Sequence, residues 1–154
     1  NSSNKSEPSN SISNLKKTEI KSPEEILAEL PPLERSKTVI NALSFFLIAY
    51  RCHIGQFPSQ EEGLRALIEP PDHIQKNKNW QGPYSDKNLL IDPWDRPYQY
   101  QWLDQPDVLY GLRSLGPDGV ESADDLTLHD LPTSAQLARR DYVEYFVQKY
   151  EDRP

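Results

Sequence analysis

The 154-residue chain has no methionine, a single cysteine and only six glycines. With Cys52 alone it cannot close an internal disulfide, so its stability must come from packing, hydrogen bonds or a bound ion. Basic charge is also scarce: 17 Lys and Arg stand against 24 Asp and Glu, a formal net charge of −7. No basic stripe exists to displace counterions from phosphates, which argues against nucleic acid as a partner. Nor is there a polybasic segment for an anionic membrane surface. No apolar run reaches the roughly 18 residues of a spanning helix. The longest, Ala42 to Tyr50, is about half that length and reads as a core helix. The chain begins with Asn, so a signal or anchor segment upstream of residue 1 would not be visible in it.

Proline and aromatic residues are plentiful, with 14 Pro, 8 Tyr, 4 Phe and 3 Trp. Residues 1–21 are polar and rich in Ser, Asn and Lys; they cannot bury enough surface to offset ordering entropy and read as a flexible linker or tail. Ser22-Pro23-Glu24-Glu25 carries a capping box and a first-turn proline, predicting a short helix over 22–30 that Pro31-Pro32 ends. The main helix is expected over 33–54. Val39, Leu43, Phe45, Phe46, Leu47 and Tyr50 form a wide apolar stripe that wants a sheet packed on it, and Gly55 is the expected C-cap. Ser59-Gln60-Glu61-Glu62 repeats the capping box before Leu64, Leu67 and Ile68, predicting a second short helix. A polar loop is expected from Asp72 to Asn79. Tyr98 to Trp102 alternates and reads as a strand, with Val108 to Ser114 as its hairpin partner. After Leu131-Pro132, Thr133 is expected to cap a last helix whose faces are set by Ala138, Tyr142, Tyr145, Phe146 and Lys149.

Between the hairpin and that helix lies SLGPDGVESADD, Ser114 to Asp125. It carries Asp118, Glu121, Asp124 and Asp125, carboxylates that repel one another unless a cation or water offsets them. Asp and Gly are ordinary turn residues, so composition alone favours a solvated turn. An EF-hand does not fit: counted from Asp118, the twelfth position is His129 where a bidentate Glu is required, and the sixth is not Gly. Zinc fits worse, because the loop holds neither Cys nor His.

Four motifs stand in a recognisable order. Gly55-Gln56-Phe57-Pro58-Ser59-Gln60-Glu61-Glu62-Gly63-Leu64 resembles G-x-Y/F-P-T-x-E-x-G-L. Asn79-Trp80-Gln81-Gly82-Pro83-Tyr84 resembles N-W-x-G-P-Y. Ile91-Asp92-Pro93-Trp94-Asp95-Arg96-Pro97-Tyr98-Gln99-Tyr100 resembles L-D-P-W-G-N-P-Y-x-Y, with Asp95 in place of the usual Gly. Ser114-Leu115-Gly116-Pro117-Asp118-Gly119 resembles S-L-G-A/P-D-G. Together they are similar to the major pseudopilins of type II secretion, and the ordered set is far more specific than any one motif.

The resemblance, which runs over residues 36 to about 126, implies an α+β, pilin-like fold, a helical spine packed on a small antiparallel β-sheet, with a calcium loop; the domain that carries it is expected over 22–132. An extra C-terminal helix and tail at 133–154 lie outside the common pattern. It implies a non-catalytic subunit of a periplasmic protein-export machine. The expected partners are other pseudopilin or secretion-machine subunits, with self-association into a filament, and contact with the membrane only through an anchor not present in this chain. That family anchor either precedes residue 1 or has been lost; in the second case the domain would serve as a soluble periplasmic binding module for a partner protein or exported substrate. The resemblance also implies structural Ca2+, with Asp118 and Asp125 as side-chain ligands and the Leu115 carbonyl as a third. Val120 and Ser122 are additional candidates, and Asp124 competes with Asp125. Gly116 and Gly119 let such a loop turn its carbonyls inward, and calcium takes six to eight oxygens of this mixed kind.

Other constellations read as structure. Trp80, Tyr84, Trp94, Tyr98 and Trp102 could stack on sugars or peptides, but most of them are expected in the core. Asp92 and Asp95 flank Trp94 like a glycosidase pair, yet turn chemistry around two prolines accounts for them. Cys52 and His53 are helix neighbours that point apart, and no third residue completes a nucleophile with His73 or His129.

Overall fold

The computed structural model describes residues 19–153. The tail expected over 1–21 therefore lies, for residues 1–18, outside the described residues. A short helix α1 (Pro23–Glu29) begins with the expected box: Glu25 N–H donates to Ser22 Oγ (3.2 Å) and Ser22 N–H to Glu25 Oε2 (2.8 Å). The 23-residue helix α2 (Pro32–Ile54) starts on a proline and ends at Gly55 in the left-handed conformation, φ 95°, where a side chain would be strained.

The stripe on α2 is narrower than the sequence suggests. Val39, Ile40, Leu43, Leu47, Ile48 and Tyr50 are buried, but Phe45 is 54% exposed. At 100° per residue Phe45 falls opposite the line of Leu43 and Leu47. Leu27 of α1 packs against the core, while Ile26 is exposed.

The three-stranded antiparallel sheet runs β1 (Gln99–Trp102), β2 (Tyr110–Ser114) and β3 (Leu126–Thr127), in that spatial order. Tyr100 opposes Leu112 and Trp102 opposes Tyr110. This puts Tyr100, Tyr110 and Leu112 on the face that meets α2, and Gln99, Gln101 and Arg113 on the other, as a period of two requires. Phe57 wedges beside Tyr110 (ring centroids 5.1 Å apart) and Trp102 (6.0 Å). Tyr98 and Tyr100 are buried, and Trp80, Tyr84 and Trp102 pack against the core, so these aromatics are structural. Trp94 is half-buried on the turn that precedes β1.

Several expectations are corrected. The second short helix is a 3-10 turn, Gly63–Leu67; the Ser59–Glu62 box is present but closes the turn that precedes it. The polar loop after Asp72 contains a 3-10 turn, Asp72–Ile74, with Ile74 buried. The hairpin partner starts at Tyr110, because Val108 is drawn into a separate bridge with Arg139. That bridge also breaks the expected C-terminal helix in two, α3 (Pro132–Leu137) and α4 (Arg140–Glu151). Leu109 N–H donates to Ala138 O (2.8 Å) and Arg140 N–H to Asp107 O (2.9 Å), so the junction extends the sheet edge. α3 begins at Pro132, without a side-chain cap from Thr133. On α4, Val143 and Val147 face the core, whereas Tyr145 and Phe146 are exposed.

The outer edge of β1 is closed by one side chain. Gln60 Nε2 donates to Tyr100 O (3.1 Å) and Trp102 N–H donates to Gln60 Oε1 (2.8 Å). The amide thus takes the place of a neighbouring strand at an edge that would otherwise invite pairing.

His53 joins the end of α2 to the Trp80–Tyr84 segment. Tyr84 Oη accepts from Gln81 N–H (3.0 Å) and shares a hydrogen bond with His53 Nδ1 (2.8 Å). Tyr150 of α4 packs on the same ring, and burial lowers the His53 pKa below its ordinary 6.5. The unfolded chain then takes up the proton first. This contribution to stability is complete above pH 6.5 and is lost as pH falls from there through the lower folded value. Thermal unfolding at pH 7.5 and pH 5 should show a larger acid loss for the wild type than for His53→Gln. Equal losses would contradict this assignment.

Candidate metal site

The acidic loop joins β2 to β3, whose ends pair directly, Ser114 with Leu126. Two tight turns shape it, with Gly116 at φ 72° and Gly119 at φ 70°. Asp118 Oδ1 accepts from Val120 N–H (3.1 Å), and Asp125 Oδ1 accepts from Ser122 N–H (3.2 Å). These bonds fold the loop on itself, so one carboxylate oxygen each from Asp118, Asp124 and Asp125 lies within 4.8 Å of the others.

Asp124 and Asp125 both reach this cluster beside Asp118. They differ in setting: Asp124 is exposed, and the Asp125 side chain is only 6% exposed. Leu115 follows the last residue of β2 and is half-buried; Val120 and Ser122 are exposed. The Ser122 hydroxyl contacts both Asp118 (Oδ2, 2.8 Å) and Asp124 (Oδ1). One hydroxyl carries one proton, so it can satisfy only one of the two carboxylates. The bonds from Val120 and Ser122 hold the Asp118 carboxyl below the usual carboxylate range, so it is charged at neutral pH.

Two arginines border the loop. Arg113 lies 3.4 Å from Glu121 and 4.0 Å from Asp125. Arg96 Nη1 donates to the carbonyls of Gly116 (2.9 Å) and Pro117 (3.4 Å). The seat of the loop is Asp92, buried at 3% exposure. Its Oδ1 accepts from Trp94 N–H (3.0 Å) and Arg96 N–H (2.9 Å), and its Oδ2 from Ser114 Oγ (2.8 Å). Ser114 Oγ in turn accepts from Gly116 N–H (3.2 Å). Asp92 is therefore the hydrogen-bonded centre of a turn, and Asp95, exposed at φ 64°, occupies that turn's left-handed position.

The carboxylates are legible in the sequence; no local pattern marks Arg96, Asp92 and Ser114 as parts of the site. Asp before Pro does signal a side-chain-closed turn, but nothing local shows that Arg96 reaches a loop 20 residues ahead. The thiol of Cys52 packs partly against the core and burial raises its pKa, which disfavours the reactive thiolate.

The model of the family described as type II secretion system (T2SS), protein G, matches residues 32–130, a span that holds α2, all three strands and the acidic loop. The type II secretion system core protein G of Pseudomonas aeruginosa is 37% identical over 90 residues, covering 58% of this chain and 63% of that protein. That of Klebsiella pneumoniae is 36% identical over 97 residues, 60% of this chain and 68% of its own. That of Pectobacterium carotovorum is 33% identical over 94 residues, 60% of each chain. The match thus spans about three fifths of these curated relatives. The crystal structure of the major pseudopilin from the type 2 secretion system of enterohaemorrhagic Escherichia coli superposes with a TM-score of 0.50 at 26% identity. It covers 73% of this chain and 99% of that one. The spine, the small sheet and the acidic loop fall inside the matched span, and the chain belongs to the type II secretion system protein G family.

Proposed function

We propose that the chain is the periplasmic part of a non-catalytic structural subunit of a type II secretion machine. The family match over 32–130 carries this reading, because it contains the whole spine-on-sheet unit rather than a single motif. The partners are then other pseudopilin subunits, including further copies of this chain in a filament. Among the described residues no helix is long and apolar enough to cross a membrane, so membrane contact would use a segment outside them. The test is deletion of the gene in its host. Exported proteins should accumulate in the periplasm and return to the medium on complementation; unchanged export would overturn the reading.

The same reading makes the acidic loop a structural calcium site. The donor set fits: three carboxylates converge, two of them share a single hydroxyl proton, and every donor is oxygen, as a hard cation prefers. Asp118, Asp124 and Asp125 would hold the ion, with Leu115 and Val120 offering carbonyls and Ser122 its hydroxyl. Calcium would supply charge neutralisation, and through it a tie between the end of β2 and the start of β3.

A second reading, a soluble periplasmic binding module, draws on the C-terminal part. α3 and α4 lie beyond the family match, and α4 presents Tyr145 (63% exposed) and Phe146 (36% exposed). Export that survives gene deletion, with a periplasmic protein co-purifying with the chain but not with a Tyr145→Ala, Phe146→Ala variant, would favour it.

A further inference from the structure

We infer that Arg96 is a built-in counter-cation of the acidic loop, which keeps the loop folded when no divalent ion is bound and thereby sets how far the domain depends on calcium. The inference rests on the calcium reading given above.

Three observations place the charge there. First, the Arg96 backbone is pinned at both polar atoms: its N–H donates to Asp92 Oδ1 (2.9 Å) and its carbonyl accepts from Asp92 N–H (2.7 Å). The side chain therefore leaves a fixed point. Second, the guanidinium donates to the carbonyls of Gly116 and Pro117, not to carboxylates. Third, it lies against Gly119. A Cβ on Gly119 would sit 2.3 Å from Arg96 Cζ and from Nε, so the loop leaves the room that the cation occupies. Gly119 thus suits its φ of 70° and leaves the guanidinium room without displacing it. The cation is seated against the turn that carries Asp118.

Four acidic residues crowd the loop, and Arg113 faces two of them, Glu121 and Asp125, from the outer face of the sheet. Arg96 offsets the end of the loop that holds Asp118. A fixed positive charge at that place acts in two opposite ways. Without metal it lowers the mutual repulsion of the carboxylates and clamps two loop carbonyls. With metal it repels the incoming ion, since neighbouring like charges oppose each other even in a partly screened setting. Removing it should weaken the metal-free protein and tighten calcium binding.

The experiment compares wild type, Arg96→Gln and Arg96→Lys by thermal unfolding in chelator and in saturating calcium chloride, with calorimetric calcium titration of each. The expected result has four parts. Arg96→Gln melts several degrees below wild type in chelator. Calcium removes most of that gap. The variant binds calcium about three- to tenfold more tightly. Arg96→Lys, which keeps the charge without the planar fork, lies nearer wild type. A gap that is the same with and without calcium, while both proteins respond to the ion, would overturn the inference and leave the calcium site standing. Arg96→Lys behaving as Arg96→Gln would assign the effect to lost hydrogen bonds and also overturn it. No heat and no shift with calcium in any of the three would overturn the calcium reading itself and this inference with it.

Discussion

Asp92→Ala is expected to lower the unfolding free energy by about 3 kcal/mol, a large share of what a small domain has. The carboxylate accepts from two backbone N–H groups and one hydroxyl while only 3% exposed. Truncation leaves those donors without a partner in a place that water reaches poorly. An unmade buried hydrogen bond costs about 1–3 kcal/mol, with the upper part of that range for charged acceptors. The damage should also spread to the loop, because Ser114 Oγ passes the connection from Asp92 to Gly116 N–H. Asp92→Asn keeps one oxygen acceptor and should lose less. Urea unfolding of the two variants measures this; a loss under about 0.5 kcal/mol for Asp92→Ala, the range of ordinary surface changes, would refute the role given to Asp92.

Leu43→Ala is the second large effect, at about 3 kcal/mol, against less than about 0.5 kcal/mol for Phe45→Ala. Both residues belong to the apolar stripe as the sequence presents it. In the fold Leu43 is fully buried between the spine and its neighbours, and Phe45 is 54% exposed. Emptying the first site forfeits transfer free energy and leaves a cavity in a close-packed core; emptying the second exposes little that was covered. Comparable losses for the two would mean that the spine meets the sheet on a different face.

That pair also shows what a sequence of this kind discloses. The ends of α2 are legible because local chemistry writes them: a proline at the start and a glycine at φ 95° at the end. β1 is legible because Tyr98, Tyr100 and Trp102 alternate with polar residues. β3 is not, since two residues carry no periodicity and their pairing with β2 depends on how the loop closes. The break between α3 and α4 has no Gly or Pro at Ala138-Arg139. It comes from Leu109 N–H and Asp107 O capturing that backbone, a tertiary competition that propensity cannot report. The same division runs through the site. Carboxylates crowded beside glycines announce themselves. The buried Asp92 and the arginine it positions belong to a separate turn, and only the sheet brings that turn under the loop.

The measurement that tests the central claim most directly is thermal unfolding of the wild type and Asp118→Ala, each in excess calcium and in chelator. At 100 times the dissociation constant, an ion that binds only the folded form adds about 2.7 kcal/mol. For a domain of this size that is a rise of roughly 5–11 °C in the midpoint. The account predicts such a rise for the wild type and its loss in Asp118→Ala. Coincident wild-type curves in the two buffers would contradict it and leave the loop a solvated turn held by its own hydrogen bonds and arginines.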